Sequence, residues 1–143
     1  MHNHSIASDG LLSPTQLIEL AARTGADAIA LTDHDTTDGL DEALTAARRL
    51  GIAFIPGVEI SVNWGDTTLH VVGLAIDPAA PALAGGLRSI REGRHVRGQR
   101  IAEALARIGI EGAFEGAFAL AENKDMLGRT HFARHLVETG RVK

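Results

Sequence analysis

Apolar positions in the first half of the chain switch between two periods, and the switches lay out the elements. Ser13-Pro14 reads as a helix N-cap with proline at the first helical position. Leu17, Ile18, Leu20, Ala21 and Ala22 then form a helical stripe that Gly25 ends. Residues 28–32 are a short apolar run, as expected of a buried parallel strand. Asp38-Gly39 opens a second helix carrying Leu40, Ala43, Leu44, Ala47 and Leu50, and Gly51 closes it. Residues 52–56 read as the next strand. From Gly57 to Trp64 the pattern alternates, which marks a further strand. Gly65-Asp66 fits a two-residue type II′ hairpin turn, with Thr67 to Ile76 as the return strand. In that register Trp64 faces Thr67, Ser61 faces His70 and Glu59 faces Val72. Glu59 and His70 become diagonal neighbours on one face, with Cβ atoms roughly 7–8 Å apart. A slip of one residue would send His70 to the opposite face.

Beyond Asp77-Pro78 and Pro81, which mark a loop, the texture changes. Leu83, Leu87, Ile90, Val96, Ile101, Leu105 and Ile108 keep a helical rhythm to Gly109, decorated by Arg88, Arg91, Arg94, Arg97, Arg100 and Arg107. Shorter helices are expected near residues 113–122 and from about Arg129 to Glu138. The first half therefore reads β-α-β-α-β with polar residues at strand ends. That order predicts an α/β fold, a parallel sheet or barrel with its site at the C-terminal edge of the strands.

Composition narrows the function more than the fold. The 143 residues suggest one domain, 45% hydrophobic and 22% charged. A net charge of −4, four Phe, one Trp and no Tyr speak against strong duplex DNA binding and against a base-stacking platform. No apolar run approaches the roughly 20 residues that span a bilayer. The chain has no cysteine, so any metal site must use His, Asp and Glu. That absence fits a reducing compartment, and a cytoplasmic setting is the expectation.

Candidate ligands cluster where strands end. His2 and His4 are two apart, so an extended backbone puts both imidazoles on one face, a chelating pair. Asp9 follows on the turn before Gly10. His34 lies at the end of the first strand between Asp33 and Asp35. Glu59 is a charge in an apolar strand, where burial without a partner is costly. A metal offsets that cost, and so does a salt bridge. His131 stands at a helix start. His95 and His135 read as structural or solvated side chains.

Taken in order, His2-x-His4-Ser5, Ser8-Asp9-Gly10, Thr32-Asp33-His34-Asp35, Gly57-Val58-Glu59-Ile60-Ser61, His70 before Val71-Val72-Gly73, and Gly128-Arg129-Thr130-His131-Phe132-Ala133-Arg134 resemble one family. It is the polymerase and histidinol phosphatase (PHP) family of metal-dependent phosphoesterases. The similarity is strongest to the branch of 3′,5′-nucleoside bisphosphate phosphatases and 5′→3′ exonucleases of short RNA. The resemblance implies a distorted (β/α)7 barrel, partial here, with residues 1–89 as its N-terminal part and 90–143 as an all-helical insertion or cap. It implies two to three divalent ions. His2, His4 and Glu59 would hold one; Glu59 would share a second with His70 and His131; Asp9 and His34 would hold the third. Manganese is favoured, with zinc or iron as alternatives. Asp33 is expected behind the ligands, in a supporting role.

The implied reaction removes the 3′-phosphate of a nucleoside 3′,5′-bisphosphate through a metal-activated hydroxide, with Asp9, His34 and Glu59 at the chemistry. Arg94, Arg97, Arg129 and Arg134 are candidates for a second phosphate, Arg129 foremost because it lies inside a motif. Alternatives are exonucleolytic cleavage of short RNA, a metal-binding module without activity, and histidinol-phosphate hydrolysis. Two departures from the family pattern stand out. No Asp precedes His2, and no Asp-x-His motif follows His131. The chain therefore resembles the N-terminal portion of a longer enzyme. Weak activity is expected unless a C-terminal barrel segment or another chain completes the site.

Overall fold

The computed structural model describes residues 1–65 and 67–142. Helix α1 (Pro14–Arg23) starts where the capping pattern puts it: Ser13 Oγ accepts from the Gln16 amide, and the Gln16 side chain accepts from the Ser13 amide. Strand β1 (Ala28–Leu31) and helix α2 (Leu40–Leu50) follow, and Gly51 closes α2 in the left-handed region at φ +70°. Ile18, Leu31 and Ala43 are buried in the core between these helices and the sheet.

The next two predicted strands are one. Strand β2 (Ala53–Trp64) runs unbroken through Pro56-Gly57. Its first part pairs parallel to β1, with Ala28 opposite Ala53 and Leu31 opposite Pro56. Its second part pairs antiparallel to β3 (Thr67–Leu74), giving the order β1-β2-β3. Proline is tolerated at the change-over because a strand flanked first on one side and then on the other does not need every N–H. Gly57 is required there, since a Cβ would stand 2.7 Å from Thr32 Cγ2 and 2.9 Å from the Gly73 carbonyl oxygen. The hairpin register is the expected one: Trp64 opposite Thr67, Ser61 opposite His70, Glu59 opposite Val72. Asp66 of the expected type II′ turn lies outside the described residues. Strand β3 ends two residues before Ile76, because Ala75 turns into the left-handed region at φ +54°. On its other side β3 has no partner among the described residues, and Leu69, Val71 and Leu74 of this strand are exposed.

Pro81, read as part of a loop, is the first residue of helix α3 (Pro81–Ala106), a position that suits a residue without an N–H. The buried line of α3 follows the apolar stripe read from the sequence only in part, with Ile101 and Leu105 half-buried against the second core. Its buried positions are Leu87 and, outside the stripe, Arg94 and Gly98, while Val96 of the stripe faces solvent. Helices α4 (Ala113–Leu120) and α5 (Arg129–Glu138) lie close to their expected places, with an unforeseen 3₁₀ turn (Lys124–Met126) between them. Ala117, Leu127 and Phe132 centre a second core against α3. Among the described residues no helix is long and apolar enough to cross a membrane.

Candidate metal centre

Three backbone features bring the candidate ligands together. The parallel ladder extends past β1: the Glu59 amide donates to the Asp33 carbonyl at 3.1 Å, and the Asp35 amide donates to the Glu59 carbonyl at 2.9 Å. This sets His34 beside Glu59. The antiparallel ladder places His70 one diagonal away. The N-terminal segment is not a ladder strand, but Asn3 ties it to the end of β1. Its amide donates to Thr32 Oγ1 (3.1 Å), and its carbonyl accepts from the Thr32 amide (2.9 Å). With Asn3 turned to β1, His2 and His4 reach Glu59 together.

Four imidazoles surround the Glu59 carboxylate. His2 Nε2 contacts Oε2, His4 Nε2 lies 2.9 Å and His34 Nδ1 3.9 Å from the same oxygen, and His70 Nδ1 lies 3.1 Å from Oε1. On the far side His4 Nδ1 is 3.3 Å from Asp9 Oδ1. Three groups each bring their ligand atoms within 4.8 Å of one another: His2–His4–Glu59, His34–Glu59–His70 and His4–Asp9–His34. Donors bound to one ion at about 2.0–2.2 Å stand roughly 3 Å apart, which is the spacing around Glu59. Buried His34 Nδ1 has no hydrogen-bond partner, and buried His4 Nδ1 has none beyond its 3.3 Å approach to Asp9. Orphaned buried nitrogens call for an explanation, and a cation between them and the carboxylates is one this donor set fits.

The electrostatics prepare the ligands. Burial alone would raise Asp9, but its contacts with His4 and Thr130 and the nearby His34 hold the carboxyl far below the usual range. Glu59 behaves alike: burial opposes ionisation, and the surrounding His2, His34 and His4 outweigh it, so its pKa is lowered. Burial pushes His34 down and favours neutral imidazole, the form that ligates. For His4 burial pulls down, but Asp9 and Glu59 prevail and its pKa is raised.

Behind the ligands stands Asp33. It accepts from the Ser5 amide (2.6 Å), Ser5 Oγ (2.7 Å) and Ser8 Oγ (2.6 Å), which fixes the loop between His4 and Asp9. Burial nevertheless raises its pKa against those bonds. The turn packs so closely that a Cβ on Gly10 would sit 2.8 Å from the Ser5 carbonyl carbon. The helical part closes on the same loop. Thr130 Oγ1 donates to Asp9 Oδ2 at 2.8 Å, and Arg134 donates to the Asp9 carbonyl. Thr130 belongs to a motif quoted from the sequence, yet nothing there marked it as the residue that orients Asp9.

One expected ligand lies outside these three groups. His131 is buried, but its Nδ1 accepts from the Gly128 amide at 3.1 Å, so it caps α5 and joins none of the three groups. In its stead His34 completes the group with Glu59 and His70. Of the four candidate arginines, Arg94, Arg97 and Arg129 line a cavity of about 150 Å³ with Asp9, His34 and His70. Arg94 is also paired with buried Asp35. Arg134 lines a different cleft beside His131, where one of its nitrogens donates to the Asp9 carbonyl. His95 stands apart, edge-on to Phe114.

Comparison with known proteins gives this geometry a context. The PHP domain family matches residues 1–80. The chain belongs to the PHP family. A protein of Chromobacterium violaceum named 3′,5′-nucleoside bisphosphate phosphatase is 55% identical over 143 residues, all of this chain and 50% of that protein. A 5′-3′ exoribonuclease of Haemophilus influenzae is 45% identical over 142 residues, 99% of this chain and 51% of that protein. The solved structure of an amidohydrolase from Chromobacterium violaceum, with bound sulfate and no metal, superposes with a TM-score of 0.95 at 55% identity, over 99% of this chain and 50% of that one. The chain thus spans about half the length of the curated relatives it matches, and its α/β architecture is a partial PHP fold.

Proposed function

We propose that this PHP chain carries the metal-binding half of a phosphoesterase that removes the 3′-phosphate from nucleoside 3′,5′-bisphosphates. The observation that carries the reading is the set of three interlocking ligand groups beside a cavity lined by Arg97 and Arg129. The relative named for that reaction, identical at 55% of positions, supports the choice of substrate. His2, His4, Asp9, His34, Glu59 and His70 would hold two to three divalent ions, with manganese favoured over zinc or iron for an all-nitrogen-and-oxygen set. Bound there, such ions supply positive charge to the phosphoryl oxygens and make a nearby water more acidic.

The remaining steps belong to the side chains. Glu59 and Asp9, held ionised, keep the ligands together. Asp33 holds the His4–Asp9 loop in place through Ser5 and Ser8. Arg129 and Arg97 are the groups for the phosphate that is not cleaved, since a guanidinium fork matches phosphate oxygens. The two-part division into a barrel portion and a helical cap belongs to this reading, although α3 runs unbroken across residues 89 and 90. So does a cytoplasmic setting, and so does completion of the site by a further barrel segment or chain.

A second reading, 5′→3′ hydrolysis of short RNA at the same site, is supported by the relative of that name at 45% identity. Phosphate release from adenosine 3′,5′-bisphosphate, 5′-labelled short RNA and histidinol phosphate, with manganese and with chelator, tests both. Manganese-dependent release from the bisphosphate is expected, slow for this chain alone. Preference for the RNA would favour the second reading. Metal content of one ion or fewer per chain after manganese loading would overturn the shared site.

A further inference from the structure

Asp35 lies outside the three ligand groups, yet every polar atom it owns is used. Its amide donates to the Glu59 carbonyl, its carbonyl accepts from Arg91 Nη1 at 2.7 Å, and Oδ1 accepts from the Ser61 amide at 2.7 Å. Oδ2 pairs with Arg94 Nη2. The residue is fully buried at φ +48°, a left-handed conformation that persists in a non-glycine residue only where the surroundings impose it. At the other end of the pair, the Arg94 side chain is 9% exposed and lines the cavity shared with Asp9, His34 and His70. Its Nε is buried with no partner. A guanidinium offers five N–H donors in a rigid fork. Asp35 occupies one end of that fork, and the buried Nε–H lacks an acceptor.

We propose that Asp35 is a positioning residue that fixes the Arg94 guanidinium at the cavity wall, where the guanidinium takes an oxygen of a phosphate-class anion. The choice of anion rests on the phosphoesterase reading; the geometry does not. A role limited to anchoring α3 would not need the carboxylate, because Arg91 already fastens the same helix to the Asp35 carbonyl. Nor is the charge alone sufficient. A carboxylate held on Nη2 restricts where the remaining donors of the guanidinium can point.

The test compares the wild-type chain with Asp35→Asn, Arg94→Lys and the double variant. Inorganic phosphate and adenosine 3′,5′-bisphosphate are titrated calorimetrically, with chelator and with manganese. Metal per chain and melting temperature are measured on the same samples. Each single substitution is expected to weaken phosphate binding at least tenfold while manganese per chain stays unchanged. The double variant is expected to be no weaker than the worse single, since both act through one contact. Wild-type affinity in Asp35→Asn, additive losses in the double variant, or metal lost in step with the anion would each overturn the proposal. A second measurement needs no folded Asp35 variant. The Arg94 Nε–H resonance of the wild-type chain, assigned by its absence in Arg94→Lys, is expected to shift on phosphate addition, and an unmoved resonance would overturn the proposal. Failure of the wild type to take up manganese would sink the metal reading instead, while the chelator arm still reads Arg94.

Discussion

Leaving a buried charge unpaired costs about 3–5 kcal/mol, so the four imidazoles around Glu59 serve stability and function together. Because Glu59 belongs to two of the three ligand groups, Glu59→Gln keeps the shape and removes the shared donor. Bound manganese is expected to fall to a third of the wild-type content or less, and plasma emission spectrometry that found it unchanged would refute the assignment. His131 makes the opposite case. Its Nδ1 caps α5, so His131→Ala should leave metal content intact and cost about 2 kcal/mol in urea unfolding, from the lost cap and the cavity left behind. Its pH dependence has a definite sign. Burial, reinforced by Arg134, lowers its pKa. The unfolded chain therefore binds the proton first, and the contribution of His131, fully present above about pH 6.5, is lost as pH falls below that value. Gln accepts at the same capping position without titrating. Wild type and His131→Gln should thus be close in stability at pH 7.5, with the wild type losing more by pH 5.5 in chelator; parallel losses would refute the neutral capping role. That His131 Nδ1 accepts from the Gly128 amide was not legible in the sequence, because a motif gives the order of residues and not which ring nitrogen is engaged. Asp35 was passed over because its partner Arg94 lies on a helix of many arginines that all read alike.

At the scale of elements, the site depends on β2 changing neighbours along its length. The parallel half presents Glu59 to His34, and the antiparallel half presents it to His70. Alternation from Gly57 to Trp64 and a two-residue turn were enough to place His70 on the correct face from sequence, since a period of two leaves only that choice. The continuity of β2 was not legible, because Pro56-Gly57 reads as a break when the two pairings are not yet known. The inward face of α3 was in part equally hidden: a buried arginine looks like a solvated one until its carboxylate is found. The change-over gives a prediction at this scale. Gly57→Ala drives a Cβ into Thr32 and the Gly73 carbonyl at the point where β1 and β3 both meet β2. Overpacking of this kind costs about 1–3 kcal/mol. Urea unfolding should show that loss, and manganese affinity should drop with it because Glu59 lies two residues on. Unchanged unfolding midpoint and affinity would mean that the strand junction does not hold the site.

Across the whole molecule, two apolar cores meet through polar contacts that converge on the ligand loops. One core gathers α1, α2 and the sheet; the other gathers α3, α4 and α5. Between them, Thr130 and Arg134 of α5 hold Asp9, and Arg91 and Arg94 of α3 hold Asp35. Few apolar contacts would report one core's state to the other, so the ions themselves should be the coupling agent. Ligand that binds only the folded chain stabilises it by about 2.7 kcal/mol at a hundred times Kd. If that stabilisation stayed local, amide exchange would slow only near the ligands, in residues 2–10, 33–35, 59 and 70. The contacts predict more. Fixing Asp9 on a cation holds Thr130 and Arg134, and ordering His34 holds the adjacent Asp35 and with it Arg91 and Arg94. Manganese should therefore slow exchange in the first two turns of α5 and in the middle of α3. Thr130→Ala combined with Arg134→Ala should abolish the α5 part of that protection and leave the α3 part in place, because the two helices are tied to different ligand loops. Protection of both helices surviving in the double variant, or of neither helix in the wild type, would show that the metal centre and the helical part fold and loosen independently.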